Sequence, residues 1–296
     1  MSPAEPAQIV LTAGDGCMLA ATRYAARMPV VGRLIVAGAT ATPQGYYRRF
    51  AEHAASRGFE VLTFDYRGVG RSKPASLRGY PASMLDWARL DLAAAVDFMA
   101  QDDAQVPLFL VGHSFGGHAL GLLPNHARIA RCYAFASGAG WHGWMPRPER
   151  WRVRLAWSLV LPPLVRWKGY SPMSLLGMGE DLPLDVYRQW KRWCGFRNFF
   201  LGDPAMPELA AACAAVRTPI VAATALDDLW APPRSCDVFT RGFANAPLTR
   251  VDIDPRRLGA GASIGHMGYF RPAAQPLWDA ALDWFLQHPL TPREAT

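Results

Sequence analysis

Charge is scarce in this chain of 296 residues: Asp, Glu, Lys and Arg together make up 19%. With 51% hydrophobic residues, that excludes a disordered polymer and leaves ample material for a large core. The length alone allows one large domain or two small ones. Long apolar runs are missing too. The longest candidate, Leu155 to Val165, is broken by Pro162 and Pro163, so no membrane-inserted helix is expected. The opening residues, Met1-Ser2-Pro3-Ala4-Glu5-Pro6, lack a basic segment followed by an apolar one. No signal peptide is therefore expected, and a cytoplasmic location is.

Cysteine is sparse and without pattern. Cys17, Cys132, Cys194, Cys213 and Cys236 are odd in number and include no Cys-x-x-Cys, which points to reduced thiols and excludes a disulfide framework. No His/Asp/Cys cluster has ligand spacing, so no metal is expected. Gly68-x-Gly70 lacks a third glycine and opens no helix, so no dinucleotide cofactor is expected either. Carboxylates are outnumbered, leaving a formal charge of +7 that is mostly arginine. Such charge attracts anionic substrates, acidic lipid or nucleic acid. No basic run is dense enough for a nucleic-acid arm, so an arginine-rich solvated surface is the plainer reading.

What the chain does have is Leu108-Phe109-Leu110-Val111-Gly112-His113-Ser114-Phe115-Gly116-Gly117. A short buried strand runs into Gly-x-Ser-x-Gly and then a helix, the pattern of a nucleophile elbow. A nucleophilic Ser must stand clear of the sheet, so the chain turns sharply there. Gly112 and Gly116, without Cβ atoms, let helix and strand pass close. The helix aims its N-terminal N–H groups where negative charge would develop. The pentapeptide by itself is equally a Gly-rich turn with a surface Ser; the flanking strand and helix favour the catalytic reading.

Read in order, Ile9-Leu11 and Leu19-Tyr24 flank Gly14-Asp15-Gly16 as a hairpin. Arg33 to Ala37 is a strand that ends in the small-residue loop Gly38 to Pro43. Gln44 to Arg57 reads as a helix with Tyr47, Phe50 and Ala54 on one face, stopped by Gly58. Phe59 to Phe64 is a strand followed by Asp65-Tyr66-Arg67-Gly68-Val69-Gly70-Arg71-Ser72, a tight loop that Asp65 and Arg67 are expected to brace by pairing. Ser83 to Met99 is a helix with Ser83 as N-cap and Asp86 in a variant capping box. Ala130 to Ala136 is a further strand. This alternation implies βαβ crossovers and a mostly parallel sheet, whose ligands bind beyond the carboxyl ends of the strands.

After Gly138 the rhythm stops, to resume at Pro219. Gly140 to Cys213 is rich in Trp, Pro and Arg and has no Val/Ile strand runs. The expectation is a core of residues 1–138 and 215–296 with a mainly helical cap at 139–214. Caps exclude water and shape the pocket. Trp141, Trp144 and Trp230 are expected to line it and to favour an apolar or aromatic acyl group. Pro219 to Thr224 is a strand, and an acid just past its end can accept from a His. The Asp-x-x-x-Pro spacing favours Asp228, with Asp227 as the alternate. Leu248 to Ile253 is the last strand and Pro272 to Gln287 the last helix. Of seven histidines, His266 sits in the glycine-bracketed loop between them. His113 points away from Ser114, and His53, His118, His126, His142 and His288 have ordinary placements. The order Ser, Asp, His completes the set.

On these residues, together with Gly177-Met178-Gly179-Glu180-Asp181-Leu182-Pro183, the chain resembles the α/β-hydrolase fold superfamily. It lies near bacterial hydrolases of the serine aminopeptidase-like branch, and the resemblance covers nearly the whole length. It implies a mostly parallel central sheet flanked by helices with an inserted helical cap, and a Ser114-Asp228-His266 triad. It implies no substrate. The sequence departs from the common His-Gly oxyanion loop, having Ala37-Gly38 there; the oxyanion donors expected are the N–H of Phe115 and one from Ala39 or Thr40. The expected activity is hydrolysis of carboxylic esters through an acyl-enzyme, on a small-molecule acyl substrate, without cofactor. Acyl transfer or amide hydrolysis by the same triad stays open, as do a non-catalytic ligand-binding role and a homodimer.

Overall fold

The computed structural model describes residues 5–101, 105–259 and 261–287; the expectations for Met1 to Ala4 and for His288 lie outside them. The strands are β1 (Ala7–Thr12), β2 (Met18–Tyr24), β3 (Gly32–Ala37), β4 (Phe59–Phe64), β5 (Leu108–His113), β6 (Arg131–Phe135), β7 (Ile220–Ala225) and β8 (Leu248–Ile253). They form one sheet in the order β1-β2-β4-β3-β5-β6-β7-β8. β1 and β2 form the expected hairpin, β2 pairs antiparallel with β4, and every later pair is parallel. The inner strands β3 to β7 are buried from end to end, as strands covered on both faces must be.

The helices are α1 (Arg48–Ser56), α2 (84–100), α3 (Phe115–His118), α4 (147–168), α5 (Leu184–Trp193), α6 (Glu208–Ala215), α7 (Pro233–Thr240) and α8 (Gln275–Leu286). Ser83 caps α2 with a reciprocal Asp86 capping box, as its sequence predicts. Phe50 and Ala54 of α1 and Trp278 and Phe285 of α8 pack on one face of the sheet. Trp87, Leu92 and Val96 of α2 and Leu209 and Cys213 of α6 pack on the other. Two turns are wider than α-helical: Trp87–Leu92 within α2 and Ala156–Val160 within α4. Residues 139–214 hold α4 and α5, a short antiparallel bridge of Ser171 with Leu182, and α6, which returns to the sheet. Among the described residues no helix is long and apolar enough to cross a membrane.

One expectation is corrected. Asp65 and Arg67 are both buried but do not pair. Asp65 accepts from the backbone and side-chain N–H groups of Gln44 and from the N–H of Arg71. Arg67 reaches instead to Asp91 in α2 and to Asp15 in the hairpin turn. Each charge is satisfied by a different distant element, so the loop after β4 is clamped between hairpin and helix.

Candidate active site

The carboxyl ends of β3, β4, β5, β7 and β8 bring the candidate residues to one edge of the sheet. Ser114 follows β5 in a left-handed conformation (φ 51°, ψ −110°), which costs a side-chain-bearing residue about 1–3 kcal/mol. The turn is enforced from both sides. A Cβ on Gly112 would lie 2.4 Å from the Gly117 nitrogen, and one on Gly116 would lie 2.0 Å from the Ala37 carbonyl oxygen. The helix after the elbow is a single α-turn, α3, continued by a 3-10 turn over Ala119–Leu122.

Ser114 Oγ lies 3.1 Å from His266 Nε2, and His266 Nδ1 lies 2.9 Å from Asp228 Oδ2. Asp228 is buried; its Oδ1 accepts from the N–H groups of Trp230 (2.9 Å) and Ala231 (2.8 Å), and its Oδ2 from the Tyr269 hydroxyl (3.2 Å). Burial works against its charged form. The His266 imidazole and those N–H groups outweigh that and hold its pKa below the ordinary carboxylate range. The alternate acid, Asp227, has another task. It accepts from the Ser263 hydroxyl and the N–H groups of Ile264 and Gly265, pinning the loop that carries His266.

The N–H of Phe115 heads α3, and among the described residues neither it nor the N–H of Thr40 donates to a protein acceptor. Ala39 differs: its N–H donates to the Tyr47 hydroxyl at 2.7 Å, which corrects the expectation that it could serve an oxyanion. Directionality then fixes a relay. Tyr47 donates to His113 Nδ1 (3.0 Å), so the imidazole proton is on Nε2, which donates to the His266 carbonyl oxygen (2.9 Å). A buried chain of hydrogen bonds thus ties the loop after β3 to the loop after β8.

Above Ser114 and His266 lies a cavity of about 320 Å³. Met84, Met145, Met178, Trp157, Trp190 and Phe199 make up much of its apolar wall. Trp230 lines it and lies tilted against His266, ring centroids 6.1 Å apart. Trp141 and Trp144 do not line it, a further correction. They pack edge to face, with Arg197 against both rings and Arg234 over Trp144. The tryptophans that reach the cavity, Trp157 and Trp190, carried a signal in their spacing: Trp157 continues an inward stripe of every fourth residue with Val153, Leu161 and Val165. Among the described residues, three of the four non-glycine residues with positive φ, Ser114, Ala136 and Phe199, border this cavity. No carboxylate side chain lines it among the described residues, and Arg152 is its one guanidinium. No group of His, Cys, Asp and Glu suited to a metal occurs among the described residues.

Two histidines beside the site are locked neutral. Burial, reinforced by the nearby His266, pushes the pKa of both His113 and His118 down to about 3. The unfolded chain binds a proton at each near pH 6.5, which the folded chain refuses until about 3. Folding stability is therefore fully present above pH 6.5 and is lost as pH falls toward 3, by about 1.4 kcal/mol per pH unit for each histidine. His118 Nε2 meets the Gly138 carbonyl at 3.0 Å, a bond that Gln can keep. Urea titrations of His118→Gln between pH 6 and 4 are expected to fall less steeply than those of the parent by that amount. Equal slopes would contradict it.

With the geometry described, comparison with known proteins is informative. Residues 32–170 match the family model described as serine aminopeptidase, S33. No curated protein sequence matched significantly. A soluble variant of monoglyceride lipase from Saccharomyces cerevisiae superposes with a TM-score of 0.68 at 17% identity, over 98% of each chain. A thermophilic esterase from Thermogutta terrifontis gives 0.57 at 16% identity, over 96% of this chain and 99% of its own. The thioesterase domain from the curacin biosynthetic pathway gives 0.57 at 16%, over 94% and 100%. The chain has the α/β-hydrolase fold, with its mostly parallel eight-stranded sheet.

Proposed function

We propose that the chain is a carboxylic ester hydrolase that works through an acyl-enzyme on Ser114. The observation that carries this reading is the unbroken hydrogen-bonded line from Ser114 Oγ through His266 to a buried, ionised Asp228. Ser114 Oγ attacks the acyl carbon while His266 Nε2 takes its proton; Asp228 holds the tautomer and balances the imidazolium. The N–H groups of Phe115 and Thr40 receive the oxyanion, and one such donor is worth roughly 3–4 kcal/mol of barrier. His266 returns the proton to the leaving alcohol, and water activated by the same imidazole releases the acid. All five cysteines are thiols, in keeping with a reducing compartment such as the cytoplasm.

An ester is favoured over a peptide for a physical reason. An aminopeptidase substrate brings an α-ammonium group, which needs an anionic partner once desolvated. Among the described residues the cavity wall offers thioether, aromatic and guanidinium groups but no carboxylate. The neighbours named as esterase, lipase and thioesterase agree with that lining.

A fluorophosphonate probe tests the reading. Mass spectrometry is expected to find the adduct on Ser114, with labelling sharply reduced in His266→Ala, and p-nitrophenyl esters are expected to turn over where aminoacyl p-nitroanilides do not. A folded protein that takes no label would sink the proposal.

A further inference from the structure

The helix α4 has two faces that the catalytic reading does not both use. Its inward face, Val153, Trp157, Leu161 and Val165, is buried. Offset by two residues runs a second stripe at the same interval: Trp151, Leu155, Leu159, Pro163 and Trp167, all exposed. The four large ones among them are 61%, 54%, 67% and 67% accessible. An α-helix drifts when read every fourth residue; the wider turn at Ala156–Val160 offsets part of that drift. Single exposed apolar residues are ordinary, but an aligned row of this kind marks an interaction surface.

The charge around the stripe is of one sign. From Arg147 to Lys168 the only carboxylate is Glu149, which is buried and bound to Arg152. Arg154 lies 4.7 Å from the ring centre of Trp151, and Lys168 lies 4.5 Å from that of Trp167. Beside α4 runs an open groove lined by Arg166, Arg188, Lys191 and Arg192. Asp185 and Asp203 pair with Arg188 and Arg192; among the described residues Arg166 and Lys191 have no carboxylate partner.

We propose that this face of the cap docks on the surface of an anionic lipid bilayer. Trp151, Leu155, Leu159 and Trp167 enter the interface, and Arg154, Arg166, Lys168 and Lys191 meet the headgroups. An amphipathic helix with Trp and Leu on one side and cations beside them lies in the headgroup plane without spanning the bilayer. The alternatives fit the chemistry less well. A two-fold dimer would set this cationic face against itself. A nucleic acid would leave the leucines without a partner. Arg152 both lines the catalytic cavity and stands exposed on α4, so the docked helix also borders the cavity's way out to solvent.

Docking is read without turnover, so it stands or falls apart from the proposed hydrolysis. Flotation with phosphatidylcholine–phosphatidylglycerol vesicles is expected to carry the protein at low salt and to release it at high salt, with far less carried by phosphatidylcholine alone. Leu155→Gln with Leu159→Gln is expected to abolish flotation. Arg166→Gln and Lys191→Gln are each expected to lower partitioning about fivefold. Circular dichroism melting at the parental temperature verifies that the variants are folded. The proposal is overturned if the parent ignores anionic vesicles or if the folded variants float as the parent does. It is equally overturned if sedimentation velocity finds a dimer that the leucine pair dissolves, which would assign the stripe to a second copy of the chain.

Discussion

An Asp228→Asn variant is expected to turn over a p-nitrophenyl ester about 10⁴-fold more slowly than the parent, with KM and thermal unfolding little changed. The size follows from one proton. In the parent, Asp228 Oδ2 accepts from His266 Nδ1, which leaves Nε2 with its lone pair toward Ser114 Oγ. In the variant the amide oxygen would stay at the Oδ1 position, where the N–H groups of Trp230 and Ala231 require an acceptor. The amide nitrogen then faces Nδ1, and an N–H can only donate. His266 must offer its lone pair there, its proton moves to Nε2, and the ring can no longer take the proton from Ser114. The fold keeps its backbone bonds, so stability is nearly spared. Asp227→Asn is the matched contrast. Asp227 holds Ser263, Ile264 and Gly265 and never meets the imidazole, so its loss loosens the loop and costs roughly tenfold or less. Steady-state kinetics on the two variants decides between the adjacent carboxylates; equal losses would mean that Asp227 shares the chemistry.

The residues legible in the sequence are those whose constraint is local. A Ser with positive φ between a buried strand and a tight helix needs glycine on either side, and Gly112 and Gly116 announce it. The strands were readable because buried parallel strands are short apolar runs, and the Ser, Asp and His positions follow once strand ends are known. What eluded the sequence depends on partners far along the chain. Asp65 and Arg67 sit two residues apart yet bond to Gln44, Asp91 and Asp15, because both side chains are buried and each must find the group that the fold brings near. Ala39 and Thr40 are indistinguishable as text; only the Tyr47 hydroxyl, placed just ahead of α1, takes one N–H and leaves the other. The Trp-rich segment 139–214 stands out by composition, but composition does not say which way a ring points. Trp141 and Trp144 hold Arg197 and Arg234, whereas Trp157 and Trp190 turn inward to the cavity.

Gly116→Ala is expected to be the most damaging single methyl group in the molecule. Its Cβ would stand 2.0 Å from the Ala37 oxygen and 2.5 Å from the Ala37 carbonyl carbon, and both belong to backbone. No rotamer relieves a clash with backbone, so β3 or α3 must move, and β3 is hydrogen-bonded on both sides, to β4 and β5. Losses above 4–5 kcal/mol arise from overpacking of this kind, and for a chain of this size that means a fall in Tm of roughly 6 °C or more. The same shift acts on chemistry, because Ala37 leads into the loop that carries Thr40 while Gly116 follows Phe115. Separating the two chains moves apart the two N–H groups proposed to receive the oxyanion. Whatever folded protein remains is therefore expected to show a lowered kcat with Ser114, His266 and Asp228 all intact. Gly45→Ala gives the control, since a Cβ there meets nothing within 4 Å and the residue lies in the 3-10 turn before α1. It is expected to gain about 0.4–1 kcal/mol by restricting the unfolded chain. Thermal melts of the pair, with ester turnover of each, separate a specific close approach at the elbow from a general intolerance of alanine for glycine.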